Sequence, residues 1–524
     1  MSGASAAMAE YIGRDFGTFA DFVALQAAER PERVAIVCDD ARATYAELDG
    51  LADRVAAGLQ RDGVRRGGVV AICASSSIDY AAVFIGTLRA GAAISPLAPS
   101  ATPAQLAAML DDCGASHLFT DAAVSATLAP VEPGLRARRV ALEEGAKGEA
   151  IAAWLPEDAS VLRSVEIDPD LPFNIIYSSG TTGTPKGIVQ SHRMRWPHNN
   201  PADPPGFGPD AVALVSTPLY SNTTLVHFIP ALAGGGTVVL MPKFDARRYL
   251  ELAERHRVTH TMLVPVQYRR ILDVPDFDKF DLSSFQLKFA TSAPFSAELK
   301  AEVLKRWLGG LIEYYGMTEG GGSCMLVAHE HPDKLATVGQ PMPGHDIRLI
   351  DGQGRLLGAG EVGEVVGRSG AMMTGYYNQP AKTAEAEWIS PEGERFIRTG
   401  DLAMVDAEGF FTLIGRRKDM IVSGGFNIYP VDLEEILREH PAVDEAAVIG
   451  AASRQWGETP VGFVTLAAGA TIGGGELRNF ANARLGKMQR LADVRIVDEL
   501  PRSAIGKILK RELQDRLADE SATY

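Results

Sequence analysis

Tyr177-Ser-Ser-Gly-Thr-Thr-Gly-Thr-Pro-Lys-Gly187 directly follows the apolar run 173–176. Its glycines permit close backbone approach, while its hydroxyl groups and its lysine offer hydrogen-bond donors and one positive charge. No Walker A pattern fits the stretch. It therefore predicts a loop at the end of a strand that binds a polyphosphate such as the tail of ATP. The predicted binding residues are Ser178, Ser179, Gly180, Thr181, Thr182, Gly183 and Lys186.

The segments around this loop alternate between helical and strand patterns. Residues 43–60 predict an amphipathic helix with Thr44 as its N-cap, because apolar residues recur at spacings of three and four. Short apolar runs that suit buried strands follow at 69–73, 93–96, 212–215, 237–241, 259–264 and 286–290. This alternation predicts parallel sheets of the α/β class. Residues 346–415 instead show short strands between Gly-rich turns, which predicts a smaller all-β unit.

Composition limits the classes of function. The chain has 524 residues, too many for one ordinary core, and we expect at least two domains. A formal net charge of -15 argues against nucleic acid as the main partner. Residues 1–10 lack the features of a secretory signal, and the apolar stretch 81–99 is interrupted by Arg89 and glycines. We therefore expect a cytoplasmic protein without a membrane span.

Four further motifs follow in order along the chain. They are Tyr315-Gly-Met-Thr-Glu319, Arg398-Thr-Gly-Asp-Leu402, Gly415-Arg-Arg-Lys-Asp419 with Gly425-Phe-Asn-Ile-Tyr-Pro430, and Pro501-Arg-Ser-Ala-Ile-Gly-Lys507. Together with the phosphate loop they resemble the adenylate-forming (AMP-binding) superfamily, in its acyl- and aryl-CoA synthetase branch, over about residues 20–515. The resemblance implies ATP, Mg²⁺ and coenzyme A as cofactors and a small-molecule carboxylic acid as the substrate.

The resemblance also implies roles for individual residues in forming an acyl-adenylate. Lys507 would bridge the carboxylate and the α-phosphate, where charge builds in the transition state. Thr318 would bond a phosphate oxygen, and Glu319 would hold the metal. Asp401 would accept hydrogen bonds from the ribose hydroxyls, and Arg416 would lie near the ribose or the phosphate. The nucleotide would further contact Ser292, Ala293, Pro294, Tyr314, Tyr315, Gly316 and Met317.

In relatives a C-terminal domain swings between the two half-reactions. The resemblance implies an N-terminal domain at 1–415, with two parallel-sheet α/β subdomains and a small β-barrel. A mobile α+β domain would occupy 416–524, and Arg416–Asp419 is the candidate boundary. Lys418 would be the hinge. The loop Ser423-Gly424-Gly425 would then leave room for the pantetheine arm of coenzyme A.

Departures from the family pattern bear on the acid. Ser221, after Tyr220, stands where relatives often carry histidine or an aromatic residue. Gly320 and Gly321 lack side chains that often narrow the pocket. Both departures favour a bulky acyl group over acetate, although the glycines could equally serve only as a turn. Tyr314 argues against a coumarate-sized aryl group, which leaves medium-chain, alicyclic and simple aryl acids open.

Other functions remain open at this point. A stand-alone adenylation enzyme that loads a carrier protein would use the same motifs. A luciferase-like oxidation has no support in the residues, and a non-catalytic nucleotide sensor would not need Lys186, Glu319, Asp401 and Lys507 together. The oligomeric state is also open, with a homodimer among the alternatives.

Overall fold

The computed structural model describes residues 6–178, 186–199, 206–423, 426–453, 456–486, 489–503 and 506–521. Seven residues predicted to bind the nucleotide or coenzyme A lie outside these ranges: Ser179, Gly180, Thr181, Thr182, Gly183, Gly424 and Gly425. By its internal contacts the chain divides into two compact units. The first comprises residues 1–335, 341–346 and 368–397, and the second comprises 336–340, 347–367 and 398–524. The boundary predicted at 415/416 stays a prediction.

The strands are β1 (Val34–Cys38), β2 (Ala41–Thr44), β3 (Val69–Cys73), β4 (Ala93–Pro96), β5 (His117–Thr120), β6 (Arg138–Ala141), β7 (Glu149–Ala150), β8 (Pro172–Ser178), β9 (Lys186–Ser191), β10 (Val212–Val215), β11 (Thr237–Leu240), β12 (His260–Leu263), β13 (Leu287–Ala290), β14 (Gly310–Tyr315), β15 (Cys324–Val327), β16 (Gln340–Pro341), β17 (Asp346–Ile350), β18 (Val362–Arg368), β19 (Gly375–Tyr376), β20 (Glu387–Ile389), β21 (Arg395–Val405), β22 (Phe411–Arg416), β23 (Ile421–Ser423), β24 (Phe426–Ile428), β25 (Val443–Ser453), β26 (Gly457–Leu466) and β27 (Asp493–Ile496).

The α-helices are α1 (Ala6–Ile12), α2 (Phe19–Glu29), α3 (Tyr45–Arg61), α4 (Ile78–Arg89), α5 (Pro103–Cys113), α6 (Ala122–Leu128), α7 (Ile151–Trp154), α8 (His192–Asn199), α9 (Asn222–Ala233), α10 (Ala246–His256), α11 (Pro265–Leu272), α12 (Ala297–Arg306), α13 (Pro380–Glu385), α14 (Pro430–Arg438), α15 (Gly474–Asn482) and α16 (Lys510–Ser521). No helix in the described ranges is both long enough and apolar enough to cross a bilayer.

Two mainly parallel sheets form the first unit. One has the spatial order β19-β9-β8-β4-β3-β5-β6-β7, in which β9 runs antiparallel to both of its neighbours. The other contains β14-β13-β12-β10-β11-β1, all paired in parallel, with β15 and β2 antiparallel to their partners. Every residue of β3 and β4 is buried, as expected for strands covered on both faces. The predicted α/β class is confirmed.

Local sequence signals determine where α3 begins and how closely it packs. Thr44 and Glu47 form a capping box, in which the Thr44 hydroxyl accepts from the Glu47 amide at 3.2 Å and the Glu47 carboxylate accepts from the Thr44 amide at 2.8 Å. A Cβ at Gly86 of α4 would lie 2.6 Å from the Cβ of Val55 on α3. Glycine therefore permits the close approach of these two helices in the core.

Strands of two further sheets lie in the second unit. β18 neighbours β17 and β21, and β22 pairs with β21 in an antiparallel register that sets Asp401 opposite Arg416. Nearer the C-terminus, the sheet has the order β24-β23-β26-β25, and β27 is parallel to β26. One apolar cluster of this sheet includes residues of α14 and α15, and another includes residues of α16. The α+β C-terminal region agrees with the prediction. The prediction of an all-β unit at 346–415 was wrong, because this segment contains the helix α13 and its residues 368–397 belong to the first unit, where β19 pairs with β9.

Candidate active site

The predicted phosphate loop connects the two strands of an antiparallel hairpin. The last described pair before the loop is Ser178 opposite Lys186. A Cβ at Gly187 would lie 2.9 Å from a side-chain carbon of Ile175 on the facing strand, so glycine permits this close pairing. On β8 the Tyr177 hydroxyl donates to the Asp112 carboxylate at 2.5 Å. These contacts position Lys186 at the beginning of β9, beside the loop.

Thr318 and Glu319 lie in the loop after β14. Gly320 and Gly321 follow with φ of +74° and +91°, values that favour glycine. A Cβ at Gly320 would also lie 1.9 Å from the Ala371 carbonyl oxygen. These two glycines were predicted to leave room for the acyl group, and that role stays a prediction. The geometry shows in addition that the tight turn itself requires glycine at position 320.

A buried polar network lies behind the Thr318 carbonyl. The Gln190 side chain donates to this carbonyl at 2.6 Å and accepts from the Asn174 amide at 2.9 Å. The Arg195 guanidinium donates to Gln190, to Asn174 at 3.1 Å and to Asn222 at 2.7 Å. Arg195 is fully buried, and burial lowers its pKa to about 9. We call the hairpin formed by β8 and β9 the phosphate hairpin. The network thus connects the phosphate hairpin, the loop that contains Thr318 and the N-terminus of α9.

The predicted acyl and adenine residues lie at the ends of adjacent elements. Tyr220 precedes Ser221, which is the N-cap residue of α9 and is buried. Ser292, with φ of +79°, begins the Ser292-Ala293-Pro294 segment after β13, and its hydroxyl forms a hydrogen bond with the Thr223 hydroxyl. The Tyr314 ring stacks on Phe289 at 6.1 Å between centroids. Tyr315 ends β14, and Gly316 and Met317 lead into the Thr318 loop.

The second unit holds the remaining predicted residues that the structure describes. The Arg416 Nε lies 3.0 Å from Asp401 Oδ1, and the Thr399 hydroxyl accepts from the Asp401 amide at 3.0 Å. Lys418 lies in the short 3₁₀ turn Arg417–Asp419, and Ser423 ends β23 and is buried. Asp401, predicted to bind the ribose, and Arg416, predicted to lie near the ribose or the phosphate, are therefore adjacent in space.

Lys507 is exposed in a turn whose ends are bridged by Arg502 and Ile508. The Lys507 amide donates to the Ser503 hydroxyl at 3.2 Å, and the Lys507 carbonyl accepts from the Ser503 amide at 2.8 Å. Arg502 donates to the Gly506 carbonyl at 2.7 Å and pairs with Glu445. The turn thus holds the backbone of Lys507.

Tyr376 is a site residue that the sequence reasoning missed. Its hydroxyl donates to Glu319 Oε1 at 2.9 Å, and the Lys186 Nζ lies 5.0 Å from its ring centroid. Burial and the adjacent carboxylate raise the pKa of Tyr376, so the phenol stays protonated. The one available signal was the Gly-Tyr-Tyr-Asn segment at 375–378, an aromatic pair between two turn-forming residues.

A hard divalent cation fits this arrangement in one particular way. No group of three or more His, Cys, Asp or Glu side chains that could hold a metal occurs among the described residues. Glu319 offers one partly exposed carboxylate. Mg²⁺ commonly binds through one or two carboxylates together with substrate phosphates and water. Glu319 beside the phosphate hairpin therefore suits a metal that arrives with a nucleotide.

Comparison with known proteins covers almost the whole chain. The family model described as AMP-binding enzyme matches residues 23–377, and that of the AMP-binding enzyme C-terminal domain matches residues 432–507. An indoleacetate–CoA ligase from Aromatoleum aromaticum is 31% identical over 95% of this chain and 98% of its own. A feruloyl-CoA synthase from an Amycolatopsis species is 34% identical over 93% of this chain and 96% of its own. The crystal structure of ATP-bound MatB from Rhodopseudomonas palustris matches with a TM-score of 0.85 and 28% identity, over 95% of this chain and 99% of that one.

Proposed function

The chain belongs to the AMP-binding enzyme family, and on that premise we propose that it is an ATP-dependent acid–CoA ligase. The observation that carries the proposal is the placement of Lys186 and Glu319 around Tyr376. A cation and a carboxylate held at one phosphate hairpin suit a metal-bound polyphosphate. The acid would be a medium-chain, alicyclic or aryl carboxylic acid, in keeping with the arylacetic acid in the name of one relative. The feruloyl group in the name of another relative is of the coumarate-sized kind that Tyr314 argues against.

In the first half-reaction, a carboxylate oxygen attacks the α-phosphorus of ATP and pyrophosphate leaves. Lys186 would bind the departing phosphates, while Asp401 would hold the ribose. Lys507 would neutralise charge between the carboxylate and the α-phosphate, where it develops in the transition state. Bound through Glu319, Mg²⁺ would supply charge neutralisation at the phosphate oxygens. Together these contacts would bring the two anionic groups, the carboxylate and the α-phosphate, into an in-line arrangement.

In the second half-reaction, the coenzyme A thiolate attacks the acyl carbonyl and AMP leaves, so the C–O bond to phosphate is replaced by a C–S bond. Lys418 as the hinge and the 423–425 loop as the pantetheine passage are part of this proposal. Moving Lys507 away between the two steps would free the carbonyl for the thiol. One site would thus run two reactions in sequence.

The test is pyrophosphate release with ATP and Mg²⁺ over a panel of acids, with and without coenzyme A. The panel runs from acetate through long-chain, alicyclic and aryl acids. Acid-dependent release that turns over only with coenzyme A, together with the matching thioester by mass spectrometry, is the expected result. Turnover that requires a carrier protein in place of coenzyme A would instead establish the carrier-loading function. No release with any acid would contradict the proposal.

A further inference from the structure

Tyr376 touches both charged side chains of the proposed metal–nucleotide site in the first unit. Its backbone pairs with Ile188 of β9, which anchors it to the phosphate hairpin. Its ring lies under the Lys186 ammonium, and its hydroxyl donates to the Glu319 carboxylate. Only 9% of the residue is exposed, so this side chain has little freedom to move.

The residues just before Tyr376 hold the backbone of the Glu319 loop. The Met373 amide donates to the Glu319 carbonyl at 2.8 Å, and the Gly321 amide donates to the Ala371 carbonyl at 3.2 Å. Gly320 forms a β-bridge with Met372. We call residues 371–377 the clamp segment. It binds the Glu319 loop through its first half and the phosphate hairpin through its second half.

The tyrosine hydroxyl occupies one oxygen of the carboxylate. Within the described part of the chain, the hydrogen bond to this carboxylate is to Oε1, and the other oxygen, Oε2, receives none. A hydrogen bond to an ionised group is shorter and stronger than a neutral one, and it restricts the rotation of the carboxylate plane. The remaining oxygen is then presented in one orientation, as a metal ligand requires.

We propose that Tyr376 is a positioning residue. Its hydroxyl orients the Glu319 carboxylate for the metal, and its ring positions the Lys186 ammonium group relative to the phosphates. The inference rests on the proposed function, because it assigns Glu319 and Lys186 their partners in that reaction. It separates two contributions of one side chain. The hydroxyl acts on metal binding, and the ring acts on nucleotide binding through a cation–π contact.

Two variants separate these contributions. Tyr376→Phe removes the hydroxyl and keeps the ring, whereas Tyr376→Leu removes both. The first measurement is Mn²⁺ binding by electron paramagnetic resonance in the presence of α,β-methylene-ATP, an analogue that the enzyme cannot cleave between the α- and β-phosphates. Tyr376→Phe should weaken Mn²⁺ binding by about tenfold, within the range expected for a lost hydrogen bond to a charged group. Its activation constant for Mg²⁺ in pyrophosphate exchange should rise in parallel, and saturating Mg²⁺ should restore most of the rate.

Tyr376→Leu should show the same loss of metal affinity and, in addition, a KM for ATP raised about threefold to tenfold, because Lys186 loses its ring contact. Tyr377→Phe is the matched control, since Tyr377 is the next residue and packs against a different apolar cluster, that of β3, β5 and α5. It should leave Mn²⁺ binding unchanged.

Unchanged Mn²⁺ binding and an unchanged Mg²⁺ constant in Tyr376→Phe would overturn the inference. An equal loss in Tyr376→Phe and Tyr377→Phe would do the same, because it would indicate a general disturbance of the clamp segment. Failure of the proposed function looks different. The wild-type protein would then show no acid-dependent exchange at all, whatever the variants do.

Discussion

Replacing Lys300 by methionine removes the cation that accompanies Glu313 in the interior of the first unit. The two side chains form an ion pair and are 1% and 4% exposed. Lys300 also donates to the Leu335 carbonyl at 2.7 Å. Glu313 lies on β14 directly before Tyr314, so the pair supports the strand that leads into the active-site loop.

The size of the effect follows from burial. Removing one partner of a buried ion pair typically costs about 3–5 kcal/mol, because the remaining charge is left without compensation. Burial raises the pKa of Glu313 from its ordinary 4.5 to about 7, even with Lys300 beside it. Without Lys300 that pKa should rise further. The folded state would then hold a proton that the unfolded state releases near 4.5.

The pH dependence has a definite sign. Where the folded protein binds more protons than the unfolded protein, the free energy of unfolding falls as pH rises, by up to about 1.4 kcal/mol per pH unit for one group. In the wild-type protein the contribution of Glu313 to the free energy of unfolding is fully present below the pKa that this residue has in the unfolded chain. It is lost as the pH rises through the folded-state pKa of about 7. In Lys300→Met the loss should continue above pH 7.

The assay is thermal unfolding of both proteins at about pH 6 and about pH 8.5, with the larger gap in melting temperature expected at the higher pH. The double variant Lys300→Met/Glu313→Leu is the control, since two apolar side chains should recover most of the stability. A gap that is the same at both pH values, or no gap, would refute the argument that an uncompensated carboxyl group is the cause.

Three further changes test the site. Gly320→Ala should lower the melting temperature and impair adenylation, because its Cβ would lie 1.9 Å from the Ala371 carbonyl oxygen. Gly344→Ala, also at positive φ but with no atom within 4 Å, should have only a small effect on both, and similar behaviour of the two variants would contradict the steric argument. Lys507→Ala should slow adenylation by about 10²–10³-fold but spare thioester formation from supplied acyl-adenylate, and equal losses in both assays would remove its assigned role. Asp401→Asn should raise the KM for ATP by about tenfold while the KM for the acid changes little, and the reverse pattern would exclude ribose binding.

The sequence predicted the elements that depend on local signals. Thr44 caps α3, and the runs 69–73, 93–96 and 212–215 form strands with those bounds. Each apolar run and each capping signal involves residues that are close together in the sequence, so it can be recognised before the fold is known. The motifs likewise identified Asp401 and Arg416, which form an ion pair in the structure.

Long-range contacts between side chains were beyond this reasoning. Tyr376 meets Glu319 across 57 residues, and Gln190 meets the Thr318 carbonyl across 128. Neither contact leaves a periodic pattern, because each depends on how sheets bring distant loops together. Arg195 was missed for the same reason: a basic residue after Ser-His-Arg-Met looks like part of a solvated helix, yet it is fully buried among amide groups.

The clamp segment affects how the protein folds while it is being synthesised. The phosphate hairpin is synthesised by residue 191, but the strand that covers the outer side of β9 begins only at Gly375. Until the ribosome has added these residues, Ile188 and Val189 lie on an open sheet edge, which other chains can pair with. Fragments that end before residue 371 should therefore aggregate more readily than the full chain. Lys186 and Glu319, the proposed partners of the metal-bound nucleotide, can both contact Tyr376 only once that residue has been added.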